Sequence, residues 1–310
     1  MKLGFVVDPL DHLKPSKDSS IAMMREAARR GHQIHAFEAR EMFVRDGAVM
    51  TTERELRLTA GDDPWYEVRP DQETPVGRFD RVLMRKDPPF DQEYYYATLL
   101  LERAEAQGTR VVNSPRALRD WNEKLAILRF PSLAPETLVA SDVGKLQSFI
   151  DTHGDVIVKK LDGMGGTMIF RVTGADPNRN VILETVTDMG TRTIMAQRFV
   201  PEIADGDKRV LVIGGKPFSH CLARIPKAGE TRGNLAVGGR GVARPITARD
   251  REIGRIVGSA LDKEGIVFAG LDVIGDWLTE INVTSPTCIV EIHEQTGGNA
   301  ARDLLDAVEG

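Results

Sequence analysis

The first third of the chain alternates short apolar strands with helices, and this alternation constrains the fold more than any other feature. A strand is predicted over Lys2–Val7, a helix over Asp18–Arg30 and a second strand over Gln33–Phe37. Asp18 can cap that helix and Gly31 can end it. Strands that are joined through helices favour a parallel sheet covered by helices. The first third is therefore predicted to form a parallel α/β layer.

The elements that follow in the first third continue this pattern. They are predicted as a hairpin over Met42–Leu58, a strand over Phe79–Met84, a helix over Gln92–Gln107, a strand over Thr109–Asn113 and a helix that begins at Pro115. The hairpin is indicated by an Asp-Gly pair, which is typical of two-residue turns. Proline suits the first position of a helix because it has no N–H group to leave unpaired.

The remaining two thirds mix strands and helices without a simple alternation. Strands are predicted over Asp155–Lys160, Thr167–Val172, Thr193–Gln197, Lys208–Ile213, Pro217–Arg224, Val267–Ile274 and Trp277–Val283. Helices are predicted over Asp142–Thr152, after a capping box of Thr247 and Asp250, and in a terminal region that begins at Pro286. No internal repeat is evident.

Composition excludes several classes of partner. A net charge of −5 argues against a nucleic-acid surface, whose affinity comes largely from Lys and Arg contacts to phosphates. No apolar run approaches the roughly 20 residues needed to span a bilayer, and Asp8 interrupts the N-terminal apolar run too early for a signal peptide. Cys221 and Cys288 stand far apart, so a reduced, cytoplasmic protein is predicted. A chain of 310 residues is long enough for two or three domains.

A glycine-rich stretch, VKKLDGMGGTMIF at Val158–Phe170, indicates a phosphate-binding loop of an uncommon kind. It contains neither the G-x-x-x-x-G-K-[ST] pattern nor a G-x-G-x-x-G pattern that opens a helix. The stretch lies between two predicted strands. It is therefore predicted to be a hairpin flap and not a strand-to-helix loop.

The side chains of this flap fit anion binding. Lys159 can hold a phosphate oxygen as a point charge. Gly163, Gly165 and Gly166 let backbone amides approach where a Cβ atom would collide. A tight hairpin with glycines at positive φ explains the glycines equally well. The two lysines that enter the loop favour the anion site.

The last pair of predicted strands carries oxygen ligands suited to a metal ion. Glu280 and Asn282 share one face because side chains alternate along a strand. Mg²⁺ prefers hard oxygen ligands and usually binds nucleotide phosphates as well. Exposed polar side chains on a solvated face are the more frequent interpretation of an isolated E-x-N triplet. The apolar surroundings, and TSPT at Thr284–Thr287 as a candidate helix N-terminus for anions, favour the metal site.

Asp272 lies on the same face as Glu280 only if the turn between the two strands has an odd number of residues or a bulge shifts their register. A two-residue turn at Gly275-Asp276 would place Asp272 opposite Thr279, on the wrong face. A three-residue loop or a bulge would place it on the face of Glu280. An odd-numbered loop is predicted.

A second glycine-rich segment, IPKAGETRGNLAVGGRG at Ile225–Gly241, has 17 residues and five glycines. Loops of this length inside compact domains are uncommon and are usually functional or disordered. A disordered linker fits the composition. The position between a strand that ends in Arg224 and the metal-binding strands favours a lid.

Several of these motifs together resemble the ATP-grasp superfamily and, within it, the prokaryotic glutathione synthetase family. They are NEK at Asn122–Lys124, KKLDGMGG at Lys159–Gly166, LTEINVTSPT at Leu278–Thr287, MRKDPPFD at Met84–Asp91 and GDKRV at Gly206–Val210. The similarity covers nearly the whole chain in order. The chain departs from the family at Lys160, where proline is expected. It also departs at Arg198–Val200, in the stretch that would contact adenine. Backbone groups should make those contacts, so a change of side chain there should matter little.

The resemblance implies an α/β fold of the α+β ATP-grasp type in three parts. Residues 1–121 would form an N-terminal, parallel-sheet α/β domain that binds substrate. Residues 122–200 would form the central ATP-grasp subdomain with the glycine-rich flap. Residues 201–310 would form the C-terminal subdomain with the metal ligands and the lid at 225–241.

The resemblance also implies a role for each site residue. Catalytic roles fall to Arg209 and Arg224. ATP binding falls to Lys124, Lys159, Gly163, Gly165, Gly166, Gln197, Arg198, Phe199, Val200 and Asp207. Two Mg²⁺ ions, or Mn²⁺, would be held by Asp272, Glu280 and Asn282, and the dipeptide by Arg85, Ser285 and Thr287. The lid residues are Gly229, Arg232, Gly233, Asn234, Gly238 and Gly239.

The implied reaction joins γ-glutamylcysteine to glycine at the expense of ATP, through an acyl phosphate, in a homotetrameric enzyme. A D-alanine–D-alanine ligase would share Lys159, Glu280 and Asn282 but should differ in the MRKDPPF and TSPT regions. A regulator that binds nucleotide without catalysis would tolerate the loss of a metal ligand or of the lid. A hydrolase that uses a pair of carboxylates would leave the lysines and the glycine loop without a role.

Overall fold

Three β-sheets organise the chain, and a computed structural model describes residues 1–235 and 238–310. Ala236 and Val237, within the predicted lid, lie outside the described residues. The strands are β1 Lys2–Val6, β2 Gln33–Phe37, β3 Met42–Arg45, β4 Ala48–Leu58, β5 Tyr66–Val68, β6 Gln72–Pro75, β7 Arg81–Met84, β8 Arg110–Val112, β9 Thr137–Ala140, β10 Asp155–Lys160, β11 Ile169–Thr173, β12 Ile194–Arg198, β13 Asp207–Ile213, β14 Lys216–Ile225, β15 Arg240–Pro245, β16 Phe268–Ile274 and β17 Trp277–Asn282. The helices are α1 Ser19–Arg29, α2 Gln92–Glu105, α3 Pro115–Asp120, α4 Val143–His153, α5 Arg179–Val186, α6 Ala248–Lys263, α7 Ile289–Thr296 and α8 Ala300–Glu309.

The first sheet has the order β3-β4-β2-β1-β7-β8. The pairs β1–β2, β1–β7 and β7–β8 are parallel, which confirms the predicted parallel layer. Strands β3, β5 and β6 pair antiparallel to β4 and extend the sheet at one side. Asp46 and Gly47 turn the predicted hairpin with φ angles of 51° and 78°, as a two-residue turn with positive φ at both positions requires.

The caps predicted for two helices are formed. The Asp18 side chain accepts hydrogen bonds from the backbone amides of Ser20 and Ile21, so α1 begins where expected. At α6, Thr247 and Asp250 form the reciprocal capping box. The terminal helical region is a correction, because α7 begins at Ile289 and not at Pro286.

The second sheet, with the order β11-β10-β12-β9, is antiparallel and carries its own apolar core. Leu146 and Ile150 of α4 pack there against Val156, Val158 and Val172 of the sheet. The glycine-rich loop connects β10 to β11, which are antiparallel partners. The predicted hairpin flap is therefore confirmed. Strand β9 and helix α5 were not predicted.

The third sheet, with the order β15-β14-β13-β16-β17, is antiparallel and carries the predicted metal strands. The odd-numbered loop predicted between β16 and β17 is wrong, because Gly275 and Asp276 form a two-residue turn. A bulge at Thr279 then shifts the register, so that Asp272 lies opposite Glu280. The bulge gives the shared face that the odd loop was expected to give.

The first and third sheets share their apolar cores. One cluster joins Val82 and Trp121 to Val210 and Ile281, and another joins Leu3 and Ile21 to Leu304. The three sheets fall within the predicted ranges 1–121, 122–200 and 201–310, although the domain limits themselves stay a prediction. Among the described helices, none is both long and apolar enough to cross a membrane.

Candidate active site

Residues of the second and third sheets, and of the loop that follows β7 of the first sheet, line one cleft with a volume of about 280 Å³. The predicted site residues that line it are Lys124, Lys159, Gly163, Gly165, Gly166, Gln197, Arg198, Phe199, Val200, Asp207, Arg209, Arg224, Arg232, Gly233, Asn234, Asp272, Glu280, Asn282, Ser285 and Thr287. The predicted site residues that do not line it are Arg85, Gly229, Gly238 and Gly239.

Strand register brings the catalytic and metal candidates onto one face of the third sheet. Arg209 of β13 lies opposite Asp272 of β16, which in turn lies opposite Glu280 of β17. Two residues before Arg209 on β13, Asp207 lies opposite Arg224 of β14. Because side chains alternate along each strand, these positions share a face. The row therefore places cations and carboxylates side by side within the cleft.

Asp272 is held between the two arginines. Its Oδ1 accepts from Arg209 Nε at 2.6 Å, and its Oδ2 lies 2.9 Å from Arg224 Nη2. Burial by itself raises the pKa of Asp272, but the two guanidinium groups overcome this and hold the pKa well below its usual range. The Asp272 side chain is therefore a carboxylate at neutral pH.

Asp207 has an oxygen atom with no protein partner. Its Oδ2 pairs with Arg224, whereas its buried Oδ1 accepts no hydrogen bond from any described residue. Burial raises the pKa of Asp207 to about 6, against the opposing charge of Arg224. A buried acceptor on the wall of a cleft suits a hydroxyl donor from a ligand.

The two predicted phosphate lysines are buried but differ in their partners. Lys124 Nζ donates to Glu280 Oε1 at 3.1 Å and to the carbonyl oxygen of Gly163 at 2.6 Å. Lys159 Nζ donates to the carbonyl oxygen of Thr279 at 3.2 Å and forms no ion pair with a described carboxylate. Burial lowers the pKa of Lys159 to about 8. Lys159 is thus a cation available to a ligand.

The flap and the lid contact each other across the cleft. Arg232 Nη1 donates to the carbonyl oxygen of Gly166 at 3.0 Å. Gly233 lies so close to β14 that a Cβ atom there would be 2.3 Å from the carbonyl oxygen of Arg224. Glycine is required at this position because any side chain would displace the lid from the arginine strand.

The residues from Gln197 to Val200 line the cleft, and among them the described contacts leave one backbone amide free. The amides of Arg198 and Phe199 donate to the carbonyl oxygens of Glu136 and Asp155, at 2.9 and 3.0 Å. Within the described chain the amide of Val200 donates no hydrogen bond, so it is the free donor of this stretch. Arg171 stacks on the Phe199 ring at 3.8 Å.

Two acidic residues line the cleft that the sequence analysis did not assign. Glu123 Oε1 accepts from the amides of Val283 and Thr284 and from the Thr284 hydroxyl group, at 3.0, 3.1 and 2.7 Å. Glu123 therefore fixes the chain immediately after the metal strand. Asp87 also lines the cleft. Both lie inside motifs quoted above, NEK and MRKDPPFD, but Glu123 contacts a residue 160 positions away and Asp87 one 79 positions away, so no local pattern reveals these contacts.

Arg85 does not line the cleft but contacts the segment at Ser285 and Pro286 next to it. Its Nη2 donates to the carbonyl oxygen of Pro286 at 2.9 Å and its Nε to Ser20 Oγ at 3.2 Å. Ser285 in turn donates its hydroxyl hydrogen to the carbonyl oxygen of Arg85 at 3.2 Å. Arg85 thus joins the N-terminal sheet to the segment that follows β17.

The donor set on β16 and β17 fits a hard divalent cation. No group of three or more His, Cys, Asp or Glu residues suited to a metal occurs in the described part of the chain. The set here is two carboxylates, Asp272 and Glu280, and one amide, Asn282. The Asn282 amide nitrogen donates to the carbonyl oxygen of Gly270 at 3.1 Å, so its Oδ1 is left as an acceptor. Mg²⁺ is usually bound by one or two carboxylates together with substrate phosphates, and this set provides two carboxylates and an amide oxygen.

Two family models match the chain. Residues 1–119 match the prokaryotic glutathione synthetase N-terminal domain, and residues 123–297 match the prokaryotic glutathione synthetase ATP-grasp domain. Together they span almost the whole sequence.

Curated relatives are similar over their full length. A glutathione synthetase of Nitrosomonas europaea is 56% identical over 312 residues, which cover 100% of this chain and 98% of the relative. One of Salmonella typhimurium is 52% identical over 309 residues, with 100% and 98% covered. The solved structure of the D-cycloserine synthetase DcsG matches with a TM-score of 0.69 at 14% identity, covering 99% of this chain and 98% of that one. At such low identity the last comparison shows the fold alone.

Proposed function

The chain belongs to the prokaryotic glutathione synthetase family, and on that premise we propose how its cleft makes glutathione. The enzyme is an ATP-dependent ligase of the ATP-grasp type that joins γ-glutamylcysteine to glycine. The observation that carries the assignment of its site is that lysines, arginines and metal-type ligands from the second and third sheets, together with Lys124 from the segment that precedes them, line one cleft. A D-alanine–D-alanine ligase is not favoured, because the curated relatives named above are glutathione synthetases.

The nucleotide is bound between the flap and the third sheet. Lys124 and Lys159 hold the phosphates, and the amides of Gly163, Gly165 and Gly166 add donors where no Cβ atom intervenes. The free amide of Val200 donates to the adenine ring. This proposal is supported by the burial of both lysines and by the absence of an ion-pair partner for Lys159 among the described residues.

The ribose lies near Asp207, whose Oδ1 has no hydrogen-bond donor among the described residues. Asp207 Oδ1 accepts from a ribose hydroxyl group. The support is that this oxygen is buried without a protein donor while the other oxygen of the same carboxylate pairs with Arg224.

Asp272, Glu280 and Asn282 hold two Mg²⁺ ions, for which Mn²⁺ can substitute. When bound, these ions offset the negative charge that accumulates as a carboxylate meets the triphosphate. The protein contributes the fixed row of oxygen atoms, because β16 and β17 are paired through the bulge at Thr279.

Arg209 and Arg224 act on the cysteinyl carboxylate of γ-glutamylcysteine. A carboxylate is a poor electrophile, so the γ-phosphate of ATP is first transferred to the cysteinyl carboxylate of γ-glutamylcysteine, giving an acyl phosphate and ADP. Glycine's amine then attacks the carbonyl carbon and phosphate leaves. The two guanidinium groups stabilise the charge on the transferring phosphate and on the tetrahedral oxyanion. Ser285 and Thr287 line the cleft and contact the dipeptide.

The lid keeps water away from the acyl phosphate. Arg232, Gly233 and Asn234 line the cleft, and Arg232 bonds to the flap at Gly166. An acyl phosphate is prone to hydrolysis, so a closed site protects the intermediate until glycine attacks. Gly229, Gly238 and Gly239 belong to the same segment and shape it without lining the cleft.

A phosphate-release assay with each substrate omitted in turn tests the function. Sustained phosphate release should require γ-glutamylcysteine, glycine and ATP together. Glutathione should accumulate in an amount equal to the phosphate released. D-alanine should replace neither amino-acid substrate. Sustained release with D-alanine alone, or ATP binding without release from any carboxylate donor, would overturn the assignment.

Three broader expectations accompany this function as proposals. We propose that the enzyme works in the cytoplasm, as a homotetramer, and with domains limited at 121 and 200. Light scattering of the purified enzyme tests the tetramer, and limited proteolysis with mass spectrometry tests the domain limits.

A further inference from the structure

The cleft is lined by five carboxylates, and four of them are already used within the protein. Asp207, Asp272 and Glu280 form ion pairs with arginine or lysine side chains. Glu123 accepts three hydrogen bonds from the chain after β17. Asp87 is the fifth, and it has no ion-pair partner among residues 1–235 and 238–310. It is therefore the one cleft carboxylate there that neither pairs with a cation nor accepts a hydrogen bond from the backbone of the protein.

The backbone that carries Asp87 is fixed at Asp87 itself and on its N-terminal side. Its amide donates to Asp8 Oδ2 at 2.8 Å, and the neighbouring Lys86 Nζ donates to Asp8 Oδ1 at 3.3 Å. Two residues before Asp87, Arg85 donates to the carbonyl oxygen of Pro286 at 2.9 Å. Both neighbouring cations are thus engaged elsewhere. Asp87 is exposed and lines the cleft.

Asp87 also lies where α/β sheets bind small molecules. Asp8 follows β1 and Asp87 follows β7, and these two strands are parallel neighbours. Ligands of open parallel sheets bind in the crevice at the carboxyl ends of the strands. In this chain that crevice opens into the cleft, next to the cleft-lining Ser285.

We propose that Asp87 binds the α-ammonium group of the γ-glutamyl substrate and makes the enzyme select donors that carry this group. The inference rests on the proposed function and names one specificity-determining residue for it. γ-Glutamylcysteine bears two carboxylates, and the charged ammonium group marks the end of the molecule that does not react. The ammonium group offsets the charge of the α-carboxylate on the same carbon, whereas the charge of the cysteinyl carboxylate is not offset, so a carboxylate that binds the ammonium group and repels the cysteinyl end fixes the direction of the dipeptide. The cysteinyl carboxylate is then left for Arg209 and Arg224.

Glycine is the other amine in the reaction, but it suits Asp87 less well. Its nitrogen atom must be neutral when it attacks, and it must reach the carbonyl carbon held at the arginine and metal row. Asp87 extends from the N-terminal sheet and holds a charged ammonium group best, as an ion pair with a hydrogen bond. The two roles differ kinetically. Loss of a binding group raises KM for the dipeptide, whereas loss of a base for glycine lowers kcat.

The test compares γ-glutamylcysteine with N-glutarylcysteine, which has a hydrogen atom in place of the ammonium group. The wild-type enzyme should prefer γ-glutamylcysteine by about 10–100-fold in kcat/KM, the usual scale of one charged hydrogen bond. In Asp87→Asn the preference should fall to about threefold or less, through a higher KM for γ-glutamylcysteine. The KM for ATP and the kcat/KM for N-glutarylcysteine should stay unchanged. Asp87→Glu, which keeps the charge, should retain part of the preference.

Calorimetric binding of the two dipeptides to the same variants provides a readout that needs no turnover. It separates the inference from the proposed function, because a wild-type enzyme that releases no phosphate would refute the function alone. Glu93→Gln, which removes an exposed carboxylate from the nearby helix α2, should leave the preference at the wild-type value. An Asp87→Asn enzyme with the wild-type preference, or with kcat reduced equally for both dipeptides, would overturn the inference.

Discussion

Arg209 and Asp272 lie directly opposite each other on β13 and β16 and are joined by two hydrogen bonds, of 2.6 and 3.2 Å. Arg224 binds the same carboxylate from β14 at 2.9 Å. A proposed metal ligand and two proposed phosphate-binding cations thus hold one another in position. Electrostatic catalysis works best when such groups are already oriented, because no reorganisation is then needed during the reaction.

Arg209→Ala should lower kcat about 10²–10³-fold, the usual scale for removing one donor to a developing negative charge. The KM for ATP should change little, because the nucleotide phosphates are held by lysines. Arg255→Ala, on the exposed face of α6, provides the matched control. Steady-state phosphate release measures both. An unchanged kcat in Arg209→Ala would remove Arg209 from the proposed mechanism.

Glu280→Gln should abolish most metal-dependent turnover, because an amide keeps the shape of the side chain but not its charge. We expect kcat to fall about 100-fold or more and the Mg²⁺ titration to shift to higher concentration. Binding of Mn²⁺, followed by electron paramagnetic resonance, should weaken in parallel. Glu294→Gln, an exposed carboxylate on α7, is the control. Full activity of Glu280→Gln at low Mg²⁺ would contradict the metal assignment.

Local patterns in the sequence predicted the parts of the site that lie within single elements. The alternation in the TEINV strand placed Glu280 and Asn282 on one face, and the two flanking strands placed the glycine loop in a hairpin. The capping box at Thr247 and Asp250 formed as expected. Each of these features depends on residues a few positions apart, so the chain encodes them locally.

Features that depend on distant contacts were not predicted. A bulge was considered beside the odd-numbered loop, but the choice between them depends on how β16 and β17 pair, which the sequence does not show. Glu123 gains its role from a segment about 160 residues away, and Arg85 from one about 200 residues away. Asp87 was quoted within a motif, but only the pairing of the other cleft carboxylates shows that it is the one left without a cation among the described residues.

Lys159 should make ATP binding dependent on pH. Burial lowers the pKa of Lys159 to about 8, so the side chain is charged below that pH and becomes neutral as the pH rises through it. A phosphate requires the charged form, and the KM for ATP should therefore rise above about pH 8 by up to tenfold per pH unit. In Lys159→Arg the rise should be absent, because a guanidinium group stays protonated. The KM for ATP should be measured from pH 7 to 9.5 in both enzymes. Equal pH profiles would exclude Lys159 as the group that causes the rise in KM.

Gly233→Ala should uncouple ATP consumption from glutathione formation. A Cβ atom at this position would lie 2.3 Å from the Arg224 carbonyl oxygen, so the lid must move away from β14. Water can then reach the acyl phosphate, and the ratio of phosphate to glutathione should rise above one. Gly174→Ala, which adds the same methyl group in open space, should keep the ratio at one. A coupled Gly233→Ala enzyme would argue against the proposed role of the lid.

Asn113→Asp should destabilise the joint between the first and third sheets. The Asn113 amide group donates to the carbonyl oxygens of Phe268 and Val283 at 2.7 and 2.8 Å and accepts from the amides of Val267 and Phe268 at 2.8 and 2.9 Å. A carboxylate keeps the acceptors but loses both donors, and places a buried charge against two carbonyl groups. We expect a loss of about 3 kcal/mol or more in the free energy of unfolding.

The pH dependence of this variant separates the lost donors from a general packing defect. The introduced carboxyl group would be buried and would face the carbonyl oxygens of Phe268 and Val283, so its folded-state pKa should lie above its unfolded value and protonation should favour the fold. The deficit of Asn113→Asp relative to wild type should therefore shrink as the pH is lowered from 8 to 5, because the protonated acid regains one donor. Asn180→Asp, exposed on α5, should show neither the deficit nor the recovery. Denaturant unfolding at several pH values measures both, and a deficit that is constant with pH would show that Asn113 acts through packing alone.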